Sequence, residues 1–315
     1  MSDAYLEKYQ AMYQRLLTKV EAQGSTQIQA QIQALIKAKG ISAIKPDYEH
    51  WLAECLEAKD WQGLNNLIFQ TNRHDLLPSM DSGYDHCILF LNLLSAFACG
   101  DVDSIERMFP FELGLASNGY PFYLAAGNLF MALWYRKNGM DKDGVLLKKA
   151  LPKAEKFITT KKPQWERAAT AYLLALFHED MEEAKKQLQE VCKSYMQSDM
   201  APMKKVLCIE AHGLYCMAQY LLPQETVRQM EMPEYKNFSK EYAKWREEHP
   251  EPELGLYFTY PAPMEIVNRM YLAPVVKTKL HQPYLEQENP YMSAREKKQR
   301  YLDLEGMREE FAAGI

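Results

Sequence analysis

Cys208, His212 and Cys216 stand at i, i+4 and i+8 of one apolar stretch, and thiolate and imidazole are both zinc ligands. On a helix they share one face, but its ends lie about 12 Å apart, too far for one tetrahedral ion. No CxxC or HxxxH supplies further ligands, so the three read as buried thiols and a core histidine, with no metal. His178-Glu179-Asp180 opens like a zincin helix, yet Glu182 stands where the second histidine is required. Asp85-His86-Cys87 supplies acid, imidazole and thiol, the ingredients of an activated nucleophile. Neighbours on a helix point in different directions, so Asp85 reads as a helix start and Cys87 as core. Phosphate-binding loops, dinucleotide fingerprints and GxSxG are missing. With no acid, base and nucleophile left together, the chain is expected to be no enzyme and to need no cofactor.

The elements that would position these residues repeat. Apolar segments close on small polar punctuation at Asp60, Asp101, Met140 (just after Asn138-Gly139) and Asp180, with spacings of 41, 39 and 40. A period near forty is that of stacked helix pairs, none of which buries its apolar face alone. Tyr48, Trp51, Leu52 and Cys55 open the first unit, and 85–99 opens the second. The third and fourth follow Pro121 and Pro163, and a last helix runs from Pro202 to Pro223. Pro46 and these prolines sit where a helix start tolerates a missing N–H. Ala53, Ala96, Ala132 and Ala175 precede the turns and would let helices approach closely. Segments 88–97 and 129–135 are apolar nearly all round, as helices covered on both sides must be.

Before the array, Tyr5, Leu6, Tyr9, Met12, Tyr13, Leu16, Leu17 and Val20 form a stripe ended by Gly24. Ile28, Ile32, Leu35 and Ile36 form another ended by Gly40, which predicts a hairpin capping the stack. After it the character changes, with nine of 16 prolines between 223 and 290. Helices are expected at 236–248 and 264–272, with 255–260 extended. Ser293 and Glu296 have capping-box spacing and open a final helix carrying Tyr301, Leu304, Met307 and Phe311. The expectation is an all-α fold: a cap at 1–46, an α-solenoid-like array of stacked hairpins at 47–222, and a proline-rich strap at 223–315 with a weakly anchored end.

Six cysteines at unpaired spacings read as reduced thiols of a cytoplasmic protein. The first five residues lack a basic n-region and an apolar h-region, so no secretory signal is expected. The longest apolar region, 87–99, falls short of the roughly 20 residues a bilayer requires, so no membrane partner is expected. A net charge of −5 argues against a nucleic-acid surface and suits a basic protein partner. The acidic run Glu247, Glu248, Glu251 and Glu253 offers such a partner a surface, although charge runs are commonly only solvated. Twenty tyrosines and 17 methionines exceed what a plain core needs, and both residue types suit interfaces. Tyr257, Phe258, Tyr260, Met264 and Tyr271 lie in the strap and form the second candidate contact group.

Two segments, Leu91-Asn92-Leu93-Leu94-Ser95-Ala96-Phe97-Ala98-Cys99-Gly100-Asp101 and Ala171-Tyr172-Leu173-Leu174-Ala175-Leu176-Phe177-His178-Glu179-Asp180, carry a resemblance. Each is a small-and-leucine helix closing on an acidic turn. Over residues 47–222 the chain resembles the large helical immunity proteins of bacterial polymorphic toxin systems, whose motifs approach those of any tetratricopeptide-like array. The resemblance implies a cytoplasmic protein that neutralises a cognate toxin domain by binding it, and it transfers no functional residues. The alternative is a general helical-repeat scaffold or adaptor holding a peptide or protein.

Overall fold

The computed structural model describes residues 3–22, 28–37, 48–78, 83–197, 199, 202–287 and 291–315. Gly24, Gly40, Pro46 and the Tyr5 side chain lie outside what is described. The fold is all-α with helices packed as adjacent pairs, plus one two-stranded sheet among the described residues. No described helix is long and apolar enough to cross a membrane.

The elements explain why the repeat was visible. Helices α1 (Asp3–Ala22) and α2 (Ile28–Lys37) precede α3 (Tyr48–Ala58) and α4 (Trp61–Asp75). Then come α5 (Phe90–Cys99), α6 (Asp103–Met108), α7 (Asn128–Lys137), α8 (Val145–Ile158), α9 (Gln164–His178) and α10 (Met181–Gln197). All four punctuation residues occupy one position of one motif. The amides of Asp60, Asp101, Met140 and Asp180 reach back to the carbonyls of Cys55, Ala96, Tyr135 and Ala175 at 2.8–3.0 Å. The residue before each lies in the left-handed region: Lys59, Gly100, Gly139 and Glu179 have φ of 54°, 81°, 73° and 55°. This is the Schellman helix end. Asp60 and Asp180 then cap the next helix, accepting from the amides of Gly63 (2.8 Å) and Glu183 (3.0 Å). Asp141 does the same for α8 through Leu146 and Leu147.

The remaining elements are α11 (Pro202–Val206), α12 (Ile209–Leu221), α13 (Gln224–Val227), α14 (Lys240–Glu248), α15 (Glu265–Leu272), β1 (Leu280–His281), α16 (Ala294–Lys297), β2 (Tyr301–Leu302) and α17 (Leu304–Gly314). They divide the chain differently from the cap, array and strap expected. One unit joins Met1–Ser82, Glu253–Lys279 and Asp303–Ile315; the other joins Gly83–Pro252 and Leu280–Leu302.

In the first unit, Tyr9, Tyr13, Ile32, Leu35 and Ile36 share one core with Tyr260, Met264, Val267, Met270, Tyr271, Met307 and Phe311. The N-terminal hairpin is therefore no separate cap. Nor is the C-terminus weakly anchored, because α17 buries Met307, Phe311 and Ala312. Tyr301 lies on β2 rather than on that last helix, since the helical stretch from Ser293 stops at Lys297. Ala53 is exposed, because α3 buries the face of Tyr48, Trp51, Leu52 and Cys55 instead.

In the second unit, α7–α8, α8–α9 and α9–α10 pack as consecutive neighbours, while α12 packs against α5. Gly213 permits that crossing: a Cβ there would overlap the Leu94 carbonyl. Ala96, Ala132 and Ala175 are buried, as are most residues of the all-apolar helices α5 and α7. Phe97 meets Phe130, Trp134 and Tyr220 with ring centroids 5.4–6.0 Å apart.

Candidate functional site

The sequence's candidate metal and catalytic residues become structural ones. Cys208, His212 and Cys216 are buried in or beside α12, and all six cysteines are unpaired. His212 accepts from the Ser239 amide at 3.1 Å and stacks on Phe238 at 4.1 Å. Burial drives its pKa down to about 3, so it is a neutral acceptor. No group of three or more His, Cys, Asp and Glu converges on a metal position among the described residues. His178-Glu179-Asp180 forms the fourth Schellman turn.

Asp85 and His86 are fully buried. Asp85 caps a short 3-10 turn, His86–Leu89, through the His86 amide, and its Oδ1 lies 2.5 Å from His86 Nδ1. Its Oδ2 accepts from the Ser117 amide (2.9 Å) and from Arg300 Nε (3.1 Å), with Arg300 Nη2 in ion-pair range at 3.0 Å. Burial raises the Asp85 pKa, but hydrogen bonding and charge from His86, the Ser117 amide and Arg300 outweigh it and leave the carboxyl below its ordinary value. Arg300 also donates to the carbonyls of Leu113 and Leu115, each at 2.7 Å. His86 Nε2 faces the Gly114 carbonyl and Met131 Sδ, whereas the Cys87 thiol donates to the Asn118 carbonyl at 3.5 Å. Burial and the charge of Asp85 push Cys87 up to about 12. Base and thiol engage different partners, and this is a buried tie holding residues 280–302 to the second unit.

The strap's aromatic group divides. Tyr260, Met264 and Tyr271 are only 2%, 0% and 0% exposed, which corrects their assignment to a contact surface. Their own segment is proline-rich and offers little cover, whereas α1 and α2 supply the apolar partners that cover them. Tyr257 and Phe258 are half-buried against Trp51, with centroids 5.6 and 5.2 Å away.

Beside them lies a feature the sequence reading missed. Gln62, Asn66 and Gln70, at i, i+4 and i+8 of α4, hold the backbone of 253–258. Gln62 donates to the Glu253 carbonyl (2.8 Å) and Asn66 accepts from the Gly255 amide (3.2 Å). Gln70 both accepts from the Phe258 amide (3.0 Å) and donates to its carbonyl (2.9 Å). The available signal was carboxamides at helical spacing within an otherwise apolar stripe.

The acidic run also divides. Glu253 belongs to the first unit, whereas Glu247, Glu248 and Glu251 belong to the second. Glu247 and Glu251 border a cleft of about 720 Å³ whose other walls include Tyr220, Val227, Arg228, Met230, Met232 and Arg246. Glu248 is exposed on α14 but lies outside that lining. Tyr215 donates to Glu247 Oε1 at 2.6 Å; burial and that carboxylate both raise its pKa, so it stays a donor. The position of α14 follows from two bonds to one helix end: Tyr242 Oη and Arg246 Nε both donate to the Ala98 carbonyl, at 3.0 and 3.1 Å. They satisfy an orphan carbonyl of the C-terminus of α5. The cleft thus joins exposed carboxylates and two arginines to adaptable thioether and aromatic walls on a fixed scaffold.

In comparisons with known proteins, the chain matches no family model, no curated protein and no solved structure.

Proposed function

We propose that this is a cytoplasmic immunity protein that neutralises a cognate bacterial toxin by direct contact, with the cleft bordered by Glu247 and Glu251 as its contact site. The observation carrying this reading is the composition of that cleft. Met230, Met232 and Tyr220 offer large contact area at low or adaptable conformational cost, while Glu247 and Glu251 offer a basic partner two exposed carboxylates beside the cleft's own Arg228 and Arg246. A net charge of −5 favours a basic toxin and speeds its approach. The protein acts by binding and not by bond-making.

The scaffold alternative has its own support in the carboxamides of α4, which hold an extended segment by its backbone as a peptide-binding helix face would. Co-expression with the products of the reading frames that flank this gene, tested for toxicity, separates the two. Protection and co-purification by the wild type, both lost in Glu247→Lys/Glu251→Lys, support immunity. Co-purification without protection transfers the reading to an adaptor. If no neighbouring product is bound or neutralised, the immunity reading fails.

A further inference from the structure

The net charge of −5 conceals a basic hairpin. Residues 136–162 hold nine Lys and Arg against three Asp and Glu, a local charge of +6. The structure gathers much of it on α8. That helix buries Leu147, Ala150, Ala154 and Phe157, and Lys149, Lys153 and Lys156, at i, i+4 and i+7, form one exposed row on the other side. Among the described residues, no salt bridge reaches this row or Arg136 and Lys137 at the end of α7.

A merely solvated helix face looks different in the same unit. On α10, Lys186 pairs with Glu183 (3.0 Å) and Lys193 with Glu190 (3.2 Å). On α8 like charges are neighbours at i, i+4, an arrangement that repels rather than supports the helix. The helix dipole accounts for cations at the end of α7, but not for Lys149 and Lys153 in the middle of α8.

Arg136 and Lys137 also border a pocket of about 450 Å³ lined by Leu133, Leu176, Phe177, Leu221 and, at its edge, the single carboxylate Glu179. It lies where the C-terminal ends of α7, α9 and α12 meet. Two of the hairpin's cations therefore stand beside a depression with leucine and phenylalanine walls. A phosphate backbone has no apolar group to place there, and a bilayer surface cannot enter a concavity. An acidic polypeptide with a Leu or Phe anchor satisfies both features.

We infer that the α7–α8 hairpin is a second docking surface, which takes an acidic polypeptide segment with its apolar anchor between Arg136, Lys137 and Phe177 and its carboxylates along Lys149, Lys153 and Lys156. This inference is independent of the acidic cleft and of the identity of any toxin.

The test is fluorescence anisotropy on the full chain with a fluorescein-labelled peptide Glu-Asp-Leu-Phe-Asp-Glu. Saturable binding that weakens with added salt is expected. The Gln/Asn analogue of the peptide, and Ser-Gly in place of Leu-Phe, should each bind about tenfold more weakly. Arg136→Glu/Lys137→Glu and Lys149→Glu/Lys153→Glu/Lys156→Glu should each cause a similar loss, with circular dichroism showing an intact fold. Glu247→Lys/Glu251→Lys should change nothing here. No binding of the peptide, equal affinity for its neutral analogue, or binding indifferent to both reversals overturns the inference. So does binding of random-sequence duplex DNA or phosphatidylserine vesicles in place of the peptide.

Discussion

Replacing Glu179 by glycine should stabilise the protein, although it removes an exposed, charged side chain. Glu179 and Gly139 occupy the same position of equivalent helix ends, with φ of 55° and 73°. An L-residue in the left-handed region costs roughly 1–2 kcal/mol, a cost glycine does not incur. Against this, glycine loosens the unfolded chain by about 0.4–1 kcal/mol. The net for Glu179→Gly is a gain of about 0.5–1 kcal/mol. Gly139→Ala should lose a similar amount, because a Cβ there meets only Lys142 Cε, at 3.9 Å, so strain enters without collision. Gly100→Ala should cost more than either, since its Cβ would approach Arg246 Nη2 to 2.7 Å and Pro252 Cδ to 2.8 Å.

Urea unfolding followed by tryptophan emission measures all three, because Trp134, Trp165 and Trp245 lie in the unit that contains these turns. A change of 1 kcal/mol corresponds to about 2–4 °C in Tm for a unit of this size. If Glu179→Gly lowers the midpoint, or Gly139→Ala leaves it unchanged, the equivalence of these helix ends is wrong.

His212 has a folded pKa near 3 against an ordinary 6.5, so between those values the unfolded chain binds the extra proton. Stability from this residue is complete above pH 6.5 and falls by about 1.4 kcal/mol per unit as the pH drops towards 3; His212→Gln should remove that slope from midpoints measured across the range. Arg300→Ala strands the buried Asp85 carboxylate and two carbonyls, and should cost about 3 kcal/mol in denaturation, with Arg300→Lys restoring little because it cannot reproduce the fork. Gln70→Ala leaves the Phe258 amide and carbonyl without their partner and should cost about 1–3 kcal/mol, seen as faster limited proteolysis within 253–258.

The four helix ends were legible because the signal is local. Gly100 and Gly139 mark the left-handed position, and Asp60, Asp101 and Asp180 mark the residue after it, all within six positions of the helix end. The burial of Tyr260, Met264 and Tyr271 was not legible. Prolines mark where helices stop, and say nothing of which distant surface covers the piece between them. Tyr260 meets Tyr9, some 250 positions earlier, with ring centroids 6.3 Å apart. Arg300 is the same case, since its partner Asp85 is 215 positions away and neither neighbourhood names the other. Gln62, Asn66 and Gln70 lie between these extremes. Their i, i+4, i+8 spacing is visible in the sequence, but carboxamides at that spacing face water as readily as backbone, and the segment they hold lies 188 to 191 positions away.

Those carboxamides bear on where a partner can bind. On α4 they already hold residues 253–258, so a peptide seeking that face must first displace a segment stacked on Trp51. The second unit has no such prior occupant at its acidic cleft or along its lysine row among the described residues. The two surfaces adjoin at the end of α12, where Tyr220 lines one and Leu221 the other, but the carboxylates of the cleft and the lysines of α8 share no hydrogen bond or salt bridge. Groups without common partners contribute additively. Reversal at Glu247 and Glu251 should therefore leave acidic-peptide affinity intact, and reversal along α8 should leave binding of a basic partner intact. A protein combining both reversals should show the sum of the two losses, and coupling above about 0.5 kcal/mol would mean that one partner spans both faces.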